Sequence, residues 1–409
     1  MLWSAWGVPA FADDSPQALA VPRTGTPFLG SLASIDEDWT LTFDAGGVAR
    51  RMPATELVYW GTLADGGCDA LVLLDPSGWL PARLVVVRED RLMVESDLWQ
   101  SVVLPRSMVR GMLLQVPTEP LERDKLARSV RAHRGVQDHF WLANGDEMPG
   151  RLLPSPADGQ APSMFGLDKL SVVLGREGDP TTIPVEGVLA VALAPADEKR
   201  ATGRPGSRVY MGFRNGACLL VDRVSQTDHR MGLSLSPEMT LVADLTRIQP
   251  QIVMLQPAGP EVRYLSDGDP IDRAEVPFLD QSWPYGRDRN VFGGRLKTGG
   301  RIYLKGLGMH STSRLVYDLR GGHRTFAAEI ALDDLARGRG SVTFRVFVER
   351  DGKWASAFES PVVRGGDAPL PVRVDIRGAS RIALVVDYAD YGDVLDCADW
   401  LHARLIKAG

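Results

Sequence analysis

Cysteine is scarce in this chain of 409 residues: Cys68, Cys218 and Cys397 are the complete set. An odd number of widely separated thiols supplies no disulfide framework, and without a CxxC pair they form no zinc ribbon. The six histidines contain no HxxxH or HExxH spacing, which removes the usual transition-metal sites. Positive charge is not in excess either. Lys and Arg total 46 against 52 Asp and Glu, a net charge of −6, so no global field gathers phosphate backbones and nucleic acid is not an expected partner. No apolar run approaches the roughly 18 residues of a spanning helix. GxSxG, Walker and GxGxxG motifs are absent, which leaves nucleophile and nucleotide chemistry without a home.

Turn formers, by contrast, are plentiful. Gly 42 and Pro 28 exceed average usage and predict short elements with tight connections, which favours β-structure. The length allows two to three domains of ordinary size.

Residues 1–23 are an apolar N-terminal segment. Ala10-Phe11-Ala12 ahead of Asp13-Asp14 has the small-x-small form of a signal-peptidase site, without a basic n-region before it. It reads either as the tail of a secretory signal, which places the protein in the periplasm, cell envelope or extracellular space, or as a frayed terminus.

Residues 24–257 repeat one pattern four times, over 24–66, 67–117, 137–196 and 205–257. A turn leads into a short apolar strand, as at Gly78-Trp-Leu-Pro-Ala82. An alternating strand follows, such as Trp39-Thr-Leu-Thr-Phe43 or Arg91-Leu-Met-Val-Glu95, whose period of two sets one face on a core. Pro53, Pro105, Pro184 and Asp244 then stand four residues before Leu57, Val109, Val188 and Ile248. Units of about fifty residues bury their edges by closing into small barrels, and they resemble SH3-like or Sm-like barrels; a four-bladed propeller is the competing arrangement. Between the second and third units, 118–136 predicts one connecting helix. Its Arg123, Lys125, Arg128, Arg131 and Arg134 are interleaved with Glu119, Glu122 and Asp124, the composition of a solvated face.

Residues 258–409 open on a Pro, Gly and Asp-rich boundary and continue as short strands at regular spacing, the pattern of a β-sandwich. Within them Gly306-Leu-Gly-Met-His-Ser311, Tyr317-Asp-Leu319, Phe326-Ala-Ala-Glu-Ile-Ala-Leu-Asp-Asp334, Gly340-Ser-Val-Thr-Phe-Arg-Val346, Asp351-Gly352 and Asp396-Cys-Ala-Asp-Trp400 stand in order. This series resembles NPCBM, the carbohydrate-binding module family associated with glycoside hydrolase family 98. The resemblance implies a galactose-binding-like jelly-roll sandwich, commonly appended to glycosidases or other exported proteins. Cys397 departs from the family's Asp-His-Ala-Asp-Trp signature, and no glycosidase domain accompanies the module.

Three residues are candidate sugar contacts. Trp283 and Tyr285 lie in an irregular Pro/Gly segment, and His310 follows the Gly306-x-Gly308 turn; a lectin-like site needs an aromatic face and a few fixed polar groups. Trp283 can equally seal the domain junction, and His310 can be a satisfied core residue. Trp354 and Trp400 read as core. Asp387, Asp390, Asp393, Asp396 and Asp399 recur every three residues with no Lys or Arg among them. A hard cation would relieve their repulsion, so Asp393, Asp396 and Asp399 are candidate Ca²⁺ ligands; turn and N-cap duty is the alternative. Asp333-Asp334, adjacent at a strand end, should point to opposite sides and cannot flank one scissile bond. The expectation is an exported, non-enzymatic protein that binds a glycan or polysaccharide through residues 258–409, with the β repeats as spacer or interaction platform. The alternatives are a cell-envelope protein that makes protein contacts without sugar, and an accessory part of a glycoside hydrolase.

Overall fold

The computed structural model describes residues 16–155, 169–175, 178–195, 208–260, 262–276, 282–319, 322–390 and 392–407. The Ala10-Phe11-Ala12 segment lies outside them. The described chain is nearly all β. Its only helix of more than one turn is α1 (Pro120–Ala132), and no described helix is long and apolar enough to cross a membrane.

The same element order recurs along residues 18–257. In the first stretch Ala18–Pro22 pairs antiparallel with both Phe28–Ile35 and Leu57–Gly61, and Thr40–Asp44 and Ala49–Pro53 complete the meander. The prolines at fixed spacing have a mechanical role. Pro53, Pro105 and Pro184 each sit at the cap of a one-turn 3-10 helix, Ala54–Glu56, Arg106–Met108 and Val185–Gly187, and the closing strand starts on the next residue. Their fixed φ suits a helix entry, where no amide donor is required. In the fourth stretch Asp244 does the same work by accepting from the Thr246 amide. There an additional 3-10 turn intervenes, so Ile248 ends a helix and the strand begins at Ile252.

These stretches are not independent beads. Val109–Leu113 pairs with Val188–Ala192, Gly78–Ala82 with Cys218–Val221, and Ile252–Pro257 with Leu57–Gly61, which links sixteen strands in one path. Edges expected to be hidden by closure within each unit are instead covered by the neighbouring unit, which satisfies the same backbone groups. One apolar cluster consequently runs through all four stretches, from Leu41 and Trp60 through Val72 and Phe140 to Phe213 and Leu233.

Helix α1 packs on this body through Val130, with Leu126 and Ala127 beside it, over Leu71, Leu113 and Ala190. Gly111 permits the approach, because a Cβ there would lie 2.4 Å from a Val130 methyl. The solvated-face reading of the helix is overturned. Arg123 and Arg131 turn inward to Asp65 and the Leu74 carbonyl of the N-terminal body, and Arg128 to the Gly293 carbonyl of the C-terminal domain, because both bodies pack against the helix.

Residues 262–407 form a sandwich of two sheets. One runs Gly286–Arg287, Gly306–His310, Cys397–Lys407, His323–Leu332, Leu370–Asp375; the other runs Asp272–Glu275, Ser313–Asp318, Arg381–Tyr388, Ser341–Arg350, Lys353–Glu359. Phe326, Phe344 and Trp400 fill the space between them, Phe344 edge-on to Trp400 at 5.1 Å. Trp400 is therefore core, as its apolar context indicates. Trp354 is not: it lies on the edge strand Lys353–Glu359 and is 43% exposed.

Strand Cys397–Lys407 joins the two bodies. A bulge at Leu401/His402, with His402 at φ 48°, shifts the alternation so that Ala398, Trp400, Ala403 and Leu405 all face the sandwich core. His402 thereby turns outward onto the N-terminal body, where its ring stacks on Tyr59 at 4.3 Å. The Tyr59 hydroxyl donates to Glu329 Oε1 at 2.5 Å. A strand pairing seals the junction, Leu63–Ala64 against Arg301–Tyr303.

Candidate functional site

The sandwich brings two of the three candidate sugar contacts together. His310 ends the strand Gly306–His310 and is buried, its Nδ1 3.0 Å from the Ser311 carbonyl, which places the proton on that nitrogen. Trp283 lies over it, with ring centroids 5.1 Å apart and planes 20° from parallel. Phe292 meets Trp283 edge-on at 5.1 Å. The Trp283 amide donates to Glu275, and Ser282 Oγ donates to the same carboxylate at 2.8 Å, which fixes the segment that carries the indole. Trp283 is half-buried, backed on one face by His310 and held at an edge by Phe292. Tyr285 lies apart. It packs against the sandwich core, and no ring contact joins it to Trp283 or His310 among the described residues.

The aspartate run disperses. Asp387 pairs with Arg345 at 3.1 Å and Asp390 with Arg364 at 2.6 Å, cations supplied by other strands. Asp396 accepts from Ser311 Oγ at 2.5 Å and from the Ser341 amide at 2.9 Å, beneath the His310 turn. Burial raises its pKa, against those hydrogen bonds. Asp393 contributes its carbonyl to a turn that ends on the Asp396 amide. Asp399 is fully buried, and its side chain shares a hydrogen bond with the Asp333 carboxyl. Burial and then the neighbouring Asp333 carboxyl push it well above the usual carboxylate range, while burial raises Asp333 to about 6. Asp393, Asp396 and Asp399 thus do not converge as the expected calcium ligands, and among the described residues no group of three His, Cys, Asp or Glu side chains could hold a metal ion. The physical reason is local: Asp396 lies just before the strand and turns to Ser311 and Ser341, Asp399 is buried on the strand beside Asp333, and Asp393 precedes both in a turn.

Asp333 and Asp334 diverge as adjacent residues should. Asp333 accepts from the Leu335 and Lys297 amides, whereas Asp334 accepts from the amides of Gly299 and Gly300. Both serve as turn caps.

Sequence reasoning placed the exposed Trp354 in the core and passed over the exposed Tyr388, because alternating strands look the same whether a sheet edge is covered or open. So did Asp65, which follows the short strand at the junction. Its carboxylate accepts from Arg123 at 2.8 Å, Arg295 at 2.6 Å and Lys297 at 2.9 Å. Burial opposes its ionisation, yet Arg295, Lys297 and Arg123 hold its pKa down to about 2.

With this geometry in hand, comparison with known proteins places the sandwich. The model of the NPCBM/NEW2 domain matches residues 262–406. This sandwich is an NPCBM/NEW2 domain. The chain is 32% identical over 111 residues to a protein of Renibacterium salmoninarum that carries the provisional name endo-alpha-N-acetylgalactosaminidase, covering 27% of this chain and 7% of that protein. It is 31% identical over 118 residues to alpha-1,3-galactosidase B of Akkermansia muciniphila, covering 28% of this chain and 14% of that enzyme. The chain therefore spans a small fraction of either relative's length. Among solved structures, the CBM51 module from Clostridium perfringens GH95 in complex with methyl-galactose is 25% identical, covers 35% of this chain and 99% of its own, and has a TM-score of 0.31. The NPCBM/NEW2 domain accounts for the sandwich and leaves residues 16–260 outside the match.

Proposed function

We propose that the protein is a non-catalytic, exported glycan-binding protein, in which the NPCBM/NEW2 domain carries the sugar site and the N-terminal β body is a rigid platform for it. The observation that carries this reading is the Trp283–His310 stack within a carbohydrate-binding-module-like domain. A half-buried indole backed by a buried ring offers a flat face to the C–H groups of a sugar at little entropic cost. Trp283 is the contact in this reading, and His310 is a positioning residue. The names of the two curated relatives make galactose and N-acetylgalactosamine the first probes.

Calorimetric titration of the full chain with these sugars should give a dissociation constant near 1 mM, about −4 kcal/mol, with useful avidity arising only on multivalent display. Trp283→Ala should weaken binding at least about tenfold with the melting temperature unchanged. The proposal fails if a glycan array shows no signal with the full chain, or if Trp283→Ala binds as the wild type does. Hydrolysis of a galactoside panel by the purified chain would refute the non-catalytic part.

A further inference from the structure

Where α1, the N-terminal body and the NPCBM/NEW2 domain meet, a half-open cavity of about 430 Å³ lies within the range of small-ligand sites. Its walls differ from those of the Trp283 site. Trp79 and Tyr210 line it, each fixed by its polar end: the Trp79 indole N–H donates to the Gly216 carbonyl at 2.8 Å, and the Tyr210 hydroxyl to Ser77 Oγ at 3.1 Å. Three guanidiniums share the lining without an ion pair among the described residues, Arg128, Arg131 and Arg289. Arg128 donates to the Gly293 carbonyl at 2.7 Å, and Arg131 to the carbonyls of Leu74, at 2.9 Å, and Gly78. Arg289 is exposed and has no hydrogen bond among the described residues. The carboxylates on the same wall are already engaged, Asp124 by Arg295 at 2.8 Å and Asp288 by Lys305 at 2.9 Å. Burial, and then the charge of Arg289, lower the pKa of Arg128.

A chain of net charge −6 thus gathers Arg128, Arg131 and Arg289 in one cleft, with Asp124 and Asp75 acting as partial counter-charges to Arg128 and Arg131. Guanidiniums recognise carboxylate and sulfate through paired N–H donors, and an aromatic wall accepts a sugar ring. We propose that this interdomain cavity is a second binding site, selective for an acidic monosaccharide unit bearing a carboxylate or a sulfate. The saccharide part of this inference rests on the glycan-binding reading above; the anionic part rests on the arginines.

The test is calorimetric titration of the full chain at low and at physiological salt. The probes are N-acetylneuraminic acid for the carboxylate, galactose 6-sulfate for the sulfate, and galactose and inorganic sulfate as controls. One acidic sugar should bind at least about tenfold more tightly than galactose, and binding should weaken with salt. Arg289→Glu, at an exposed position without a partner, should abolish that preference while the fold and galactose binding persist. Trp283→Ala should leave acidic-sugar binding intact, which separates failure of this site from failure of the first. No acidic preference, or a preference indifferent to Arg289→Glu, overturns the proposal, as does inorganic sulfate binding as tightly as galactose 6-sulfate.

Discussion

At the junction between the two bodies one carboxylate gathers cations from both sides, and Asp65→Asn measures its weight. Asp65 receives Arg123 from α1, and Arg295 and Lys297 from the NPCBM/NEW2 domain, all within 2.9 Å. Its side chain is 22% exposed, so solvent screens the cluster only in part. The pKa falls from the reference 3.8 to about 2, and each unit is worth about 1.4 kcal/mol, which gives roughly 2 kcal/mol of stability at pH 7. Because the folded pKa lies below the unfolded one, this stability is complete above about pH 4 and is lost as the pH falls toward 2. By the same linkage about 1 kcal/mol remains at pH 3. Asparagine keeps the shape and removes the charge. Urea denaturation of wild type and variant should therefore show a gap of about 2 kcal/mol at pH 7 that narrows to about half at pH 3. Equal midpoints at pH 7 would refute the argument. So would a gap that stays constant with pH, since it would assign the loss to packing rather than to charge.

Other perturbations address different parts of the molecule. Asp399 and Asp333 both have raised pKa values, so the folded wild type holds protons that the unfolded chain releases above about pH 3.9, and stability falls as pH rises past that point. Asp399→Asn removes this penalty. Its melting temperature should exceed that of wild type by a margin that grows from pH 4 to pH 8, and a pH-independent margin counts against the buried pair. Gly293 has φ +89°, and a Cβ there would stand 2.0 Å from Arg128 Nη1. Gly293→Ala should cost about 1–3 kcal/mol through backbone strain and the displaced arginine. In a double-mutant cycle with Arg128→Ala, part of that loss should disappear.

Sequence periodicity was enough to mark the all-β fold class, the prolines that precede short 3-10 turns and closing strands, the helix over Pro120–Ala132, and the blocks of the NPCBM/NEW2 domain. These features are local: a proline before a 3-10 turn, or alternation along a strand, acts within a few residues. Trp283 and His310 were legible as candidates because an aromatic in an irregular segment and a histidine after a glycine turn are local signals as well. Their stacking was not, because 27 residues separate them and only the sandwich sets one over the other. The aspartate run shows the limit from the other side. Equal spacing in sequence suggested one metal site, yet Arg345, Arg364, Ser311 and Ser341 arrive from other strands and divide the carboxylates among separate partners. The arginines of α1 read as solvated because nothing local indicates that acceptors distant in sequence, Asp65 and Leu74 in the N-terminal body and Gly293 in the sandwich domain, meet them. Composition and period thus determined which elements form and which faces are apolar. Only tertiary structure decided which edges pair, which charges meet and where cavities open, because those outcomes depend on contacts between residues far apart in the chain.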